Sequence, residues 1–384
     1  MKKTLAALAV LGAFAGSACA ANVQLYGVLD TGLQYKHVNP DDGTDGTDTF
    51  TMATGNQSGN RWGLKGVEDL GNGYQVGFLL ESGFSEDDGT LGQAGRLFGR
   101  EANLFVRGAF GELSFGRLGA LDSANGSYGL LGNFSPFGAS WAGSVEFSTY
   151  FSGGLRLDNA VTYKSPDLAG ARVYAQYSFG ANSKDVYGTK QTAGTEGKAS
   201  DNRYAALGAT YQNGALSLAA AAGWYNYSNL KYADADDGYT LTAGGSYDFE
   251  VVKAYFGAQY VNNLQKASSD ADTKTVNNYR GFGFTGAARG WGLMAGVDAP
   301  VAGGKAMFAV GYSHLDADKG DETQTNSAAE FERVGASVGY TYAFSKRTNV
   351  YGVAAFYQDT NTDAAGKDVR PETSLVTVGV RHTF

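Results

Sequence analysis

From Val23 to its last residue the chain alternates apolar and polar positions one residue at a time. The ending shows the pattern plainly: Val376, Val378, Val380 and Phe384 fall on one strand face, while Thr377, Gly379 and Arg381 fall on the other. Val334, Ala336 and Val338 alternate in the same way with Arg333, Gly335 and Ser337, and Val173, Ala175 and Tyr177 with Arg172, Tyr174 and Gln176. A sheet made only of such strands has an apolar face and nothing soluble to bury it against. A closed antiparallel β-barrel in a bilayer, apolar outside and polar within, satisfies that face and every backbone group at once. A large secreted all-β protein uses similar residues, but a membrane barrel needs the alternation along the whole chain, which is what is seen.

The pattern predicts an all-β fold of about 16 strands, joined by alternately short and long connections. The short ones lie at 68–73, 109–111, 166–170, 212–214, 249–250, 300–304 and 345–348, and most carry Gly or Asn where a turn needs positive φ. The long ones gather acid, as in Asp41, Asp42, Asp45 and Asp48, Glu86 to Asp88, Asp234, Asp236 and Asp237, or Asp316, Asp318, Asp321 and Glu322. Residues Gly281 to Ala288 read either as a strand start or as part of a long sixth outer loop. No linker or composition break divides residues 21–384, so one domain is expected.

Residues 1–20 read as a signal peptide. Lys2 and Lys3 precede an apolar run from Leu5 to Ala15, and Ser17-Ala18-Cys19-Ala20 offers an A-x-A cleavage site. Lipidation of Cys19 is the rival reading, but Gly16 stands where lipoprotein signals usually carry Leu. Cleavage after Ala20 removes the only cysteine and with it disulfides, thiolate metal sites and cysteine nucleophiles. Without Lys2 and Lys3, 28 basic residues face 38 acidic ones, a net charge of −10 that argues against a nucleic-acid partner. Mean hydropathy is −0.25, and no apolar run after the signal is long enough for a spanning helix. The 56 Gly, 24 Tyr and 22 Phe, against only 5 Pro, suit closely paired strands bordered by aromatic girdles.

Several segments resemble the trimeric general porins of Gram-negative bacteria, particularly their β-proteobacterial branch. They are Leu25-Tyr-Gly-Val-Leu-Asp30, Arg61-Trp-Gly-Leu-Lys-Gly-Val-Glu-Asp-Leu-Gly-Asn-Gly73, Phe78-Leu-Leu-Glu-Ser-Gly-Phe84, Phe110-Gly-Glu-Leu-Ser-Phe-Gly-Arg117, Asp158-Asn-Ala-Val-Thr-Tyr-Lys-Ser-Pro166, the turn Ser345 to Thr348 and the ending Val380-Arg-His-Thr-Phe384. The resemblance spans the mature chain. It implies a water-filled homotrimeric diffusion channel in the outer membrane, for small hydrophilic solutes and without a cofactor. Its partners would be outer-membrane lipid and lipopolysaccharide, and the assembly machinery that reads a C-terminal aromatic, here Phe384. The third outer loop, at 119–154, would fold into the lumen and narrow it. That loop departs from the family's commoner form in holding only Asp122 and Glu146 as acids among many Gly, Ser, Phe and Tyr.

Arg61 and Lys65 lie four apart with Trp62 and Leu64 facing lipid, so both cations face the lumen. Arg156, Asp158, Thr162 and Lys164 share a face opposite Leu157, Val161 and Tyr163, which turns Arg156 inward as well. Arg100 joins them through the resemblance. The constriction is thus expected to have a basic wall of Arg61, Lys65, Arg100 and Arg156, an acidic side of Asp122 and Glu146, and further lumenal acids in Asp30 and Glu81. A single lumenal arginine also reads as a wall salt bridge to Asp30, Glu81 or Asp158. For the group, an anion-preferring eyelet is the better reading, because charges in a narrow pore act more strongly on a passing ion than loop charges screened by bulk salt.

The acidic loops carry no full calcium motif. Asp42 to Asp48 is short, and the run from Asp316 has its Gly one position early and lacks the distant Glu. Catalysis would need a base, and only His37, His314 and His382 are available; Ser313 and His314 are adjacent strand residues that point to opposite faces. An enzyme is therefore not expected. An adhesin or receptor acting through the outer loops is the alternative function that the same barrel accommodates.

Overall fold

The computed structural model describes residues 23–138, 141, 156–181, 196–197, 201–227, 237–264, 288–317, 330–363 and 365–384. Strand β1 (Gln24–Asn39) is followed by β2 (Thr47–Thr54), and β3 (Arg61–Gly71) turns into β4 (Tyr74–Gly83). Hairpins follow in order: β5 (Glu101–Gly108) with β6 (Gly111–Gly119), β7 (Arg156–Lys164) with β8 (Ala171–Ser178), and β9 (Arg203–Asn213) with β10 (Leu216–Asn226). Then come β11 (Gly238–Asp248) with β12 (Lys253–Leu264), β13 (Ala288–Val301) with β14 (Gly304–Ala317), and β15 (Glu330–Ala343) with β16 (Thr348–Thr362). The two-residue β17 (Asp368–Val369) lies in the last outer loop, before β18 (Glu372–Thr383).

All pairings are antiparallel between neighbours, and β18 pairs with both β16 and β1, which closes the sheet. β2 and β3 both run along β1, opposite Thr31 to Val38 and Val28 to Gln24 respectively, so they are two halves of one staggered strand broken at residues 55–60. Counting them as one and leaving β17 to its loop gives a barrel of 16 strands, the number the alternation predicts. Closure removes every sheet edge, which a bilayer demands because no water is there to satisfy one. No helix among the described residues is long and apolar enough to cross a membrane, so the crossing is made by strands.

The predicted faces hold over most of the wall. In β18, Val376 and Val378 are 49% and 52% exposed while Thr377 is fully covered; in β15, Val334 and Val338 are 51% and 55% exposed while Ser337 is 2% exposed. The exposed row is apolar and the covered row polar, the reverse of a soluble sheet and the signature of a barrel whose solvent is lipid. All the predicted short connections fall at turns between paired strands. At the first, Gly71, Asn72 and Gly73 all have positive φ, of 81°, 53° and 79°, which explains their residue types. Ala288 opens β13; residues 281–287 lie outside the described residues.

The buried apolar residues are not beneath the sheet but between its inner face and the third outer loop. Leu121, Leu130, Leu131 and Phe134 of that loop pack with Leu118 and Leu157 at its base and with inward residues of β9 to β15, including Tyr204, Ala219, Val261, Met294, Leu315 and Phe331. Further along, Phe137 and Trp141 join Met307, Ala309, Tyr351 and Val353 of β14 and β16. A segment that touches the inward rows of so many consecutive strands of a closed barrel lies inside it.

The wall makes room for the loop with glycine. A Cβ on Gly208 of β9 would come within 2.8 Å of Leu130, on Gly244 of β11 within 3.0 Å of Phe134, on Gly296 of β13 within 2.8 Å of Pro136, and on Gly339 of β15 within 2.6 Å of Phe137. Each falls in the inward parity of its strand, so these positions form a track along which the loop backbone approaches the wall.

Candidate functional site

Across from that track, β1, β3, β4 and the approach to β5 present charged side chains. Arg61 opens β3 and Glu81 stands near the end of β4, their strands paired so that Arg61 meets Gly83 and Gly63 meets Glu81. Arg100 Nε donates to Glu81 Oε1 at 2.6 Å, and Arg61 Nη1 lies 3.9 Å from the same oxygen. Arg61 also donates to Ser58 Oγ at 2.6 Å, and Tyr26 OH donates to Glu81 Oε2 at 2.9 Å. The Lys65 ammonium sits 5.2 Å from the centre of the Tyr26 ring. Arg156 reaches into the same group, its Nε donating to the Arg100 carbonyl at 2.9 Å and its Nη2 to Asn125 Oδ1 of the third loop at 3.2 Å.

The structure therefore brings Arg61, Arg100 and Arg156 together near Glu81, with Glu101 the other acid of the group, while Lys65 is exposed beside them over the Tyr26 ring. Glu101 is committed to the loop: it accepts from Asn103 Nδ2 at 2.8 Å and from the Ser127 backbone N–H at 3.1 Å. Glu81 pairs with two arginines, as a wall salt bridge would, and four cations and two acids lie on this part of the wall. Gly59 and Gly83 border Arg100, and a Cβ at either position would meet its side chain at 2.9 to 3.0 Å. Small residues thus give the guanidinium its place.

Three sequence expectations need correction. Asp122 does not line the passage: it is fully covered, held against the wall by Tyr204 OH at 2.7 Å, Tyr225 OH at 2.5 Å and Thr240 Oγ1 at 2.5 Å. Burial pushes its carboxyl up, against the lowering effect of those hydroxyl bonds. Asp30 projects from the inward row of β1 but is also fully covered, accepting from the Ser58 N–H and from Tyr351 OH, each at 2.5 Å. It fastens the segment before Arg61 and is closed to passing ions. The third correction concerns β7: Gly116 and Leu118 of β6 pair with Ala160 and Leu157, leaving one extra residue in β7 at Asp158 and Asn159, where φ of Asn159 is 50°. Leu157 is consequently buried with the third loop instead of facing lipid. Arg156 reaches the basic group from beyond this bulge, so alternation was not what placed it there. Glu146 lies outside the described residues.

Two further arginines were not anticipated. Arg96 and Arg117 both bind Asp158, at 2.9 and 2.5 Å, beside Arg156 at the outer ends of β6 and β7. Ser313 is fully covered on the inner face while His314 is half-buried on the outer one, so they form no dyad. His314 lies 3.4 Å from Asp316, Glu330 and Glu332, a partly exposed ion-pair group of the kind that contributes little.

A closed transmembrane barrel with a loop folded into its lumen and a charged group opposite defines a channel protein. A family model described as Gram-negative porin matches residues 6–362, and the chain belongs to that family. An outer membrane porin protein of Bordetella pertussis is 34% identical over the full length of both chains, and outer membrane porin protein 32 of Delftia acidovorans 31% over the full length of both. Among solved structures, the anion-selective porin from Comamonas acidovorans is 26% identical with a TM-score of 0.68, covering 95% of this chain and 100% of that one. The trimer form of OmpT from Vibrio cholerae, 15% identical with a TM-score of 0.62 over 95% of this chain and 100% of its own, shares the fold. The chain is thus an outer-membrane diffusion channel for small hydrophilic solutes. Its family and fold are those of channel proteins and not of enzymes.

Proposed function

We propose that the channel prefers anions and that Arg61, Lys65, Arg100 and Arg156 are the residues that make it do so. The observation that carries this reading is their gathering on one part of the wall: three arginines and a lysine, from three separate stretches of chain, lie near Glu81, with Glu101 committed to the loop. The name of the Comamonas relative points the same way. Reversal potential across a KCl gradient is the test; a wild-type channel that is cation-selective in moderate salt would refute it.

The working unit is proposed to be a homotrimer, with β1 to β6 and β18 at the contact, as the family resemblance implies. Residues 1–20 are proposed as the export signal, Phe384 as the residue read by the assembly machinery, and the outer face as the one that meets lipopolysaccharide.

A further inference from the structure

We infer that Asp122 is the positioning residue of the constriction: a clamp that fixes the third loop to the wall and so sets how far the loop stands into the passage. Its carboxylate draws hydroxyl bonds from three consecutive strands, Tyr204 of β9, Tyr225 of β10 and Thr240 of β11, at 2.5 to 2.7 Å. Those hydroxyls have different side-chain lengths and come from adjacent inward rows, yet converge on two oxygens. The wall is also shaped for the acid, because Gly223 of β10 lies directly beneath it and a Cβ there would stand 2.6 Å from Asp122 Oδ2. The neighbouring turn locks to the same point: the Leu121 N–H donates to Gln176 Oε1 at 3.0 Å, and Gln176 Nε2 donates to the Gly119 carbonyl at 3.0 Å.

Position matters because the clamp sits near the root of the loop. The apolar contacts from Leu130 to Trp141 are non-directional and would tolerate sliding along the glycine track, whereas three converging hydroxyl bonds would not. The same stretch carries Asn125, which accepts from Arg156, and Ser127, whose N–H meets Glu101. Holding Asp122 therefore also holds the loop's contacts to the basic group.

Single-channel recording of the purified protein tests this. Asp122→Ala is expected to leave the yield of folded protein near wild type, since no barrel pairing involves the loop. It should raise open-channel current noise at least about threefold and add sub-conductance states. A covalent tether that bypasses the clamp, Leu130→Cys with Gly208→Cys, where a Cβ on Gly208 meets the Leu130 side chain and no backbone atom closer than 3.4 Å, oxidised in the Asp122→Ala background, should return the current to quiet. A merely structural role would change yield and leave the noise alone. Quiet wild-type current in Asp122→Ala overturns the proposal, as does noise that the tether leaves unaltered. Should Asp122→Ala fail to assemble, Tyr225→Phe with Thr240→Val removes two donors at nearly constant volume; unchanged noise in that variant likewise overturns it. Noise and reversal potential are separate readouts, so the clamp and the anion preference can fail independently.

Discussion

Gly27 and Phe384 exchange two backbone hydrogen bonds, each of 3.1 Å, that seat the last residue of the chain against the first strand. The tip of the Phe384 ring reaches over Gly27, into space that a Cβ would occupy. Together with the register that sets Asp30 against Arg381, this contact is where the barrel closes. Removing Phe384 is expected to lower the amount of folded trimer while leaving the conductance of surviving channels near normal. Gly27→Ala should act in the same direction through overpacking, at a cost of about 1–3 kcal/mol. Folded yield on unheated gels checks both, and an unchanged yield in the deletion would count against a role for Phe384 in assembly.

The proposed trimer has its own signature. An unheated sample should migrate as a large band that collapses to the monomer on boiling. A protein that remains monomeric in mild detergent would contradict the proposed contact.

The lipid-facing row makes a sharper test of orientation. Val338 sits mid-strand in β15 and is 55% exposed, so Val338→Arg places a charge in the hydrocarbon and should destabilise the folded barrel by about 2–4 kcal/mol. On a soluble barrel the same exposed substitution would be close to neutral. Denaturant unfolding in lipid vesicles separates the two outcomes.

Much of this is legible in the sequence. The faces of β15 and β18 follow from strict alternation, which a half-lipid, half-water surface imposes on every residue. Arg61 and Lys65 were legible for the same reason, because β3 runs without interruption between them. Arg156 was not, since a single extra residue at Asp158 and Asn159 inverts parity beyond it in β7 and nothing in the composition marks that bulge. Asp122 was misread because a loop has no period. Its acid could be counted, but only tertiary packing shows three hydroxyls waiting for it and Gly223 clearing its place.

A second attachment of the third loop gives a stability test. The Trp141 ring stands edge-on to Tyr351 with 5.2 Å between centroids, and Tyr351 OH donates to Asp30 at 2.5 Å. Tyr351→Phe keeps the ring contact and deletes the donor, leaving Asp30 with the Ser58 N–H. Losing a hydrogen bond to a buried charge should cost about 1.5–3 kcal/mol. The temperature at which the folded band disappears should fall, with reversal potential little changed.

Selectivity sets two groups of charges against each other. Asp41, Asp42 and Asp45 are exposed in the first outer loop, where a Debye length of about 8 Å at physiological salt screens them. The arginines near Glu81 are largely covered by protein while Lys65 is exposed, and an ion passing an arginine at roughly 4 Å would feel about 4 kcal/mol at an effective dielectric of 20, against about 1 kcal/mol in bulk water. The inner group should therefore decide the sign although the mature chain is net negative. Replacing Arg61, Lys65 and Arg156 together with Gln should lower the anion-to-cation permeability ratio by about tenfold or more, since about 1.4 kcal/mol already corresponds to a factor of ten. Replacing Asp41, Asp42 and Asp45 with Asn should shift it little, and less still as salt is raised. If the loop acids move the reversal potential as far as the three cations do, the basic group does not control passage.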